Sequence, residues 1–154
     1  MRAPTELRCE YEANPLGLHE PRPRLSWRMA CEGCPPPQSA YQILAAHSPE
    51  DLHKDRGTLW DSGRVRSARS HAVAYGGPPL RSREAVFWKV RVWDEDGKAT
   101  AYSTVASFEM ALLHGHDWQA DWIGWPGGRP GRAVYLRCGI DLPGLPSRAR
   151  LYIT

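Results

Sequence analysis

Three short stretches hold residue types that do chemistry in proteins, and each lacks something that chemistry needs. Cys31-Glu32-Gly33-Cys34 has the C-x-x-C spacing of a metal or redox pair. Zinc generally takes four ligands, and here Cys9 and Cys138 stand alone, with no second pair. Thioredoxin-type chemistry needs a βαβ setting, whereas "CEGCPPPQ" is a proline-rich loop. His114-x-His116-Asp117 offers two imidazoles and a carboxylate, but no further His or Cys cluster lies near it in sequence. Asp94-x-Asp96-Gly97 begins like a calcium loop. The pattern then demands a ligand, a glycine and a glutamate where Lys98, Ala99 and Val105 stand. Asp61-Ser62-Gly63 lacks the G-x-S-x-G elbow, and "GGRPGR" at 127–132 lacks the Walker pattern. The expectation is no catalytic residue, no metal and no cofactor.

The aromatic residues offer a different chemistry. Seven Trp and six Tyr stand against two Phe, and flat rings with polar tips suit interfaces and stack on the apolar face of a pyranose. Trp27 and Trp88 fit core positions. Trp93 falls on the outward face of its strand beside Arg91, and Trp118, Trp122 and Trp125 cluster in one stretch. These four are the candidate ligand contacts. For the clustered three, packing between domains is the preferred role, because such contacts need large apolar anchors.

The elements that position these residues are strands. "PRLSWRM", "SAYQILAA", "SHAVAY", "VFWKVRVW" and "STVASFEM" alternate apolar and polar residues, and "ANPLG", "CEGCPPP", "YGGPP" and "DEDGK" separate them as turns. Asp96-Gly97 predicts a hairpin that brings Trp88, Val90 and Val92 against Ala106 and Phe108, with Lys89 and Arg91 outward. One short helix is expected after Ser48, with Pro49 at its first position, Glu50 and Asp51 near its positive end, and Gly57 ending it. Gly and Pro number 14 each in 154 residues, too many for a mainly helical chain. The net charge of +3 is spread as single arginines, which excludes a nucleic-acid or membrane-surface footprint. The N-terminal stretch lacks the apolar core of a signal peptide and nothing is long enough to span a membrane, so a cytoplasmic location is expected.

Alternation fails after Leu113. Residues 114–129 read as a linker, and strand-like runs resume in "AVYLRCGIDL" and "RARLYIT". The reading is an all-β chain. An antiparallel fibronectin type III-like (immunoglobulin-like) β-sandwich spans 1–113, a junction spans 114–129, and the truncated start of a second β-sandwich domain spans 130–154.

In order along the chain, "LRCEYEANPLGLHEPRPRLSW", "SAYQILAAHSPEDL", "LWDSGRVRSARS", "FWKVRVWDEDGK" and "DWQADWIG" resemble the N-terminal region of bacterial α-L-rhamnosidases. The resemblance implies a fibronectin type III-like module at the front of a large hydrolase. A β-sandwich domain follows it there, then further β-domains and an (α/α)-barrel carrying the acid and base carboxylates that release terminal α-L-rhamnose with inversion. No catalytic residue of that family falls in this chain. Inverting cleavage needs carboxylates about 6.5–9.5 Å apart, and Asp94, Glu95 and Asp96 are expected to be solvated and divergent on one turn. Two readings follow: a non-catalytic portion of a rhamnosidase whose partners are the parent's remaining domains, or a stand-alone module that binds carbohydrate or protein.

Overall fold

The computed structural model describes residues 1–29, 37–124 and 135–153. They fall into two units, Met1–Trp118 and Gln119–Thr154. Among its described residues, the first unit contains eight strands. β1 (Pro4–Cys9), β2 (Arg24–Met29) and β6 (Val73–Ala74) form one antiparallel sheet in the order β1-β2-β6. The second sheet contains β3 (Ala40–Ala46), β4 (Trp60–Asp61), β5 (Val65–Arg66), β7 (Ala85–Trp93) and β8 (Ala106–Glu109). Its order is β4-β3-β7-β8, and β5 also pairs with β3.

The inward residues of both sheets make one core. Leu7, Cys9, Leu25 and Trp27 from the first sheet meet Tyr41, Ile43, Val86, Trp88, Val90, Val92 and Phe108 from the second. Burial in this core pushes the Cys9 thiol far above its ordinary value, so it stays protonated and serves as a small apolar filler. The expected hairpin is present. Gly97 sits at φ +78 in its turn, and β7 meets β8 through Trp88 opposite Ala106 and Val86 opposite Phe108. Asp94 differs from its expected solvated state. It is buried, and its Oδ1 accepts the Lys98 backbone N–H at 2.8 Å.

The open edge of β8 is covered by the NPLG loop. Asn14 Oδ1 accepts the Ser107 N–H at 2.8 Å, and Glu109 N–H donates to the Pro15 carbonyl at 3.0 Å. An edge masked in this way does not recruit foreign strands.

The short helix, α1 (Pro49–His53), forms as the sequence predicts. The Ser48 side chain accepts the Glu50 N–H at 3.1 Å, and Leu52 is buried beneath the helix. Its end is not Gly57. Lys54 caps it, and Asp55 turns the chain at φ +55. Gly57 answers a different demand, since a Cβ there would lie 2.4 Å from the Trp60 carbonyl oxygen. Ser48→Ala should cost about 1 kcal/mol of stability, read as a lower urea midpoint at unchanged slope.

Residues 135–153 form no hydrogen-bonded strand, although their sequence alternates, and Ile140, Leu151 and Ile153 stand exposed. An extended run becomes a strand only when a partner satisfies its backbone, and no such partner is present among the described residues.

Candidate functional site

The four candidate tryptophans lie in unlike settings. Trp93 follows the alternation of β7 onto the outer face of the sheet, but it is only 8% exposed. The Arg64 and Arg91 guanidiniums each lie 4.9 Å from its ring centroid. Arg91 also lies 4.7 Å from the Tyr102 ring, and Lys89 4.3 Å from the same ring. Gln42 Oε1 fixes this row by accepting from Arg91 Nε at 3.0 Å, Arg91 Nη2 at 2.7 Å and the Tyr102 hydroxyl at 3.1 Å. Burial is the chief cause that raises the Tyr102 hydroxyl above its ordinary pKa, so it remains a donor. The row covers the sheet, so Trp93 presents no open ring face on the scale of a pyranose.

Trp118 is 36% exposed and follows a 3-10 turn, Gly115–Asp117. Asp117 ties that turn to the sandwich. Its carboxylate accepts the Ser82 hydroxyl and the His114 N–H at 2.9 Å, and Ser82 Oγ accepts the Leu113 N–H at 2.8 Å. The Ser82 hydrogen bond is the main cause that holds this carboxyl below its ordinary value. Residues 114–118, which the sequence assigns to the junction, therefore belong to the first compact unit. Trp122, in the second unit, is 87% exposed. Trp125 and the Cys31/Cys34 pair lie outside the described residues.

His114 and His116 stack with centroids 5.1 Å apart. The nearby carboxylate of Asp117 is held by Ser82, and no group of three metal-ligating side chains occurs among the described residues.

Sequence reasoning missed a second polar cluster, on the other sheet. The Glu10 carboxylate receives Arg24 Nη2 at 2.7 Å and Arg24 Nε at 3.2 Å. Arg24 lies 5.1 Å from the centroid of Tyr11, which is 52% exposed. The hydrogen bonds from Arg24 hold the Glu10 carboxyl below its ordinary value. A depressed folded-state pKa gives stability that is present above the unfolded value and lost as pH falls through the folded one. Acidification below about pH 4.3 should therefore weaken the wild-type chain more steeply than Glu10→Gln, in urea midpoints measured from neutral to acid pH.

Two antiparallel sheets packed over one core, with surface rows of aromatic and polar groups, define an immunoglobulin-like β-sandwich. The family model described as Rha78A-like, N-terminal immunoglobulin domain matches residues 4–114, and the chain belongs to that family. It is 42% identical over 151 residues to an α-L-rhamnosidase of Formosa agariphila, covering 92% of this chain and 16% of that protein. It is 47% identical over 118 residues to one from Streptomyces avermitilis, covering 76% of this chain and 11% of that protein. The solved structure of Streptomyces avermitilis α-L-rhamnosidase complexed with L-rhamnose superimposes with a TM-score of 0.75 at 44% identity. That match covers 80% of this chain and 12% of that one. The α-L-rhamnosidase from Dictyoglumus thermophilum also gives 0.75, at 34% identity, over 79% of this chain and 14% of that one. The chain thus spans less than a fifth of the length of these relatives.

Proposed function

We propose that the chain is the non-catalytic N-terminal β-sandwich portion of an α-L-rhamnosidase. Its parent hydrolyses terminal non-reducing α-L-rhamnose, and the sandwich packs against and positions the remaining domains. The observation that carries this reading is the family match over 4–114 to a domain that makes up a small share of each rhamnosidase relative. The chemistry agrees with it. The described carboxylates Glu10, Asp55, Asp61, Asp94 and Asp117 are each engaged by structural donors, which is unlike a free acid and base facing a sugar. Trp118 and Trp122 are its exposed aromatic contacts, toward neighbouring domains first and carbohydrate second. No described helix is long and apolar enough to cross a membrane. We place the parent in the cytoplasm, in keeping with the free thiols of Cys9 and Cys138.

The test is an assay of this 154-residue chain beside the product of the full reading frame, on a chromogenic α-L-rhamnoside. The full product should release the chromophore with inversion and the chain alone should release none. Hydrolysis by the chain alone would sink the reading, and so would a full product inactive on every rhamnoside offered.

A further inference from the structure

The turn joining Cys9 to Glu12 is closed by two backbone bonds, Cys9 N–H to the Glu12 carbonyl at 2.9 Å and Glu12 N–H to the Cys9 carbonyl at 3.0 Å. Its two central residues, Glu10 and Tyr11, sit at φ +47 and +72. Glycine and asparagine take that conformation easily, and a bulky aromatic residue does so only under strain. Strain of this kind persists where the surroundings hold it, and it gathers at functional sites. Here it holds Tyr11 outside the core, more than half exposed.

We propose that this turn is a contact site for a neutral pyranoside, with the Tyr11 ring as its platform and Arg24 and His71 as its polar rim. The platform is ordered in advance. The Arg24 guanidinium stands 5.1 Å from the Tyr11 centroid and is gripped by both oxygens of Glu10. The His71 ring lies 5.8 Å from the Tyr11 ring, tilted by 45°. Its Nδ1 is 3.4 Å from Ser26 Oγ, and its Nε2 has no hydrogen-bond partner among the described residues. Rigid aromatic and guanidinium groups cost little entropy to use in binding.

Charge selects the ligand class. Arg24 is neutralised by Glu10, and Arg8 donates to the Tyr11 carbonyl at 2.8 Å. Glu20 also acts on Arg24, so Arg8 and Arg24 face Glu10, Glu12 and Glu20, and the patch has no positive excess to select an anion. The groups that order the ring are the Arg24 guanidinium and the His71 imidazole, which leaves hydrogen-bonding groups beside it. A ring to stack on, flanked by hydrogen-bonding groups with no positive excess, matches a polyhydroxylated neutral sugar.

The test is an NMR titration of the 154-residue chain with methyl α-L-rhamnopyranoside and, separately, methyl β-D-glucopyranoside. The ring signals of Tyr11 and His71 should shift saturably with at least one of them. A response to both supports the general class, and a response to one supports the site and names its sugar. Tyr11→Gly fits the positive φ without strain, so it keeps the fold while removing the platform. It should leave the Trp27 and Trp88 indole signals in place and weaken the response about tenfold. No saturable shift at Tyr11 or His71 with either glycoside overturns the proposal. So does an undiminished response in Tyr11→Gly, or a sugar-independent, concentration-dependent shift of the same signals, which marks self-association. Because no cleavage is read, the result stands apart from the assay of the parent hydrolase.

Discussion

Gln38→Leu should lower the stability of the sandwich by about 3 kcal/mol, a large part of what a domain of this size has. Gln38 is buried, and its amide serves three groups at once. Its Oε1 accepts the Trp27 indole N–H at 3.1 Å, and its Nε2 donates to the carbonyls of Ser67 at 3.0 Å and Arg69 at 2.9 Å. Leucine fills similar space and serves none of them. The indole donor is then stranded in the core, and the 67–69 loop loses its tie to the sandwich. A lone hydrogen bond contributes about 1 kcal/mol net, while each stranded buried group costs about 1–3. Two of the three orphans lie in a partly buried loop that water reaches on relaxation, which keeps the sum near the low end. Trp27→Phe removes the donor as well as its need, so combining it with Gln38→Leu should cost less than the two singly. The check is the urea midpoint of the three variants. A Gln38→Leu midpoint equal to wild type would show that the loop, not the glutamine, organises this region.

Gln38 also shows where the sequence stops being informative. Next to a proline run it reads as one more polar loop residue, because nothing local says that Trp27 will need an acceptor. Period-two alternation gave β2, β3, β7 and β8, since each keeps a regular pleat with one face on a continuous core. It hid β1, where Glu6 at φ +47 slips the register between Thr5 and Arg8, so that Pro4, Leu7 and Cys9 are the buried residues. β4 and β5 are two residues each, too short for any period to show. The candidate site was legible only in part. The alternation placed Trp93 on the outer face correctly. It could not say that Arg64, distant in sequence, would come to lie against the ring. Tyr11 drew no attention because an exposed tyrosine in a polar stretch is unremarkable until its backbone angle is known.

Lys89→Ala should cost about 3 kcal/mol, and Lys89→Met only about 1. Alternation puts Lys89 on the outer face of β7, where a lysine is expected to be solvated, and it is nevertheless buried at 5% exposure. The reason is α1, which lays Leu52 over Leu44 and Ala46, with Phe87, Tyr102 and Val105 packed against them. Lys89 runs beneath the helix. Its ammonium donates to the Leu52 carbonyl near the helix C-terminus and to the Asp55 carboxylate, and lies over the Tyr102 ring. Cations near that end of a helix satisfy its last carbonyls and its dipole. The ion pair itself contributes little, because the Asp55 side chain is 63% exposed and screened by water. Asp55→Asn keeps a residue that tolerates φ +55 and should cost less than about 1 kcal/mol. Alanine at position 89 removes the buried methylenes, the carbonyl's partner and the contact with Tyr102 together, whereas methionine keeps the methylenes. Cleavage after Lys54 and Arg56 by trypsin reports on the same contact, since both follow α1. It should speed up in Lys89→Ala and stay near wild type in Asp55→Asn. Equal acceleration in both would place the anchor in the ion pair, and none in either would mean that Leu52 alone holds the helix to the sheet.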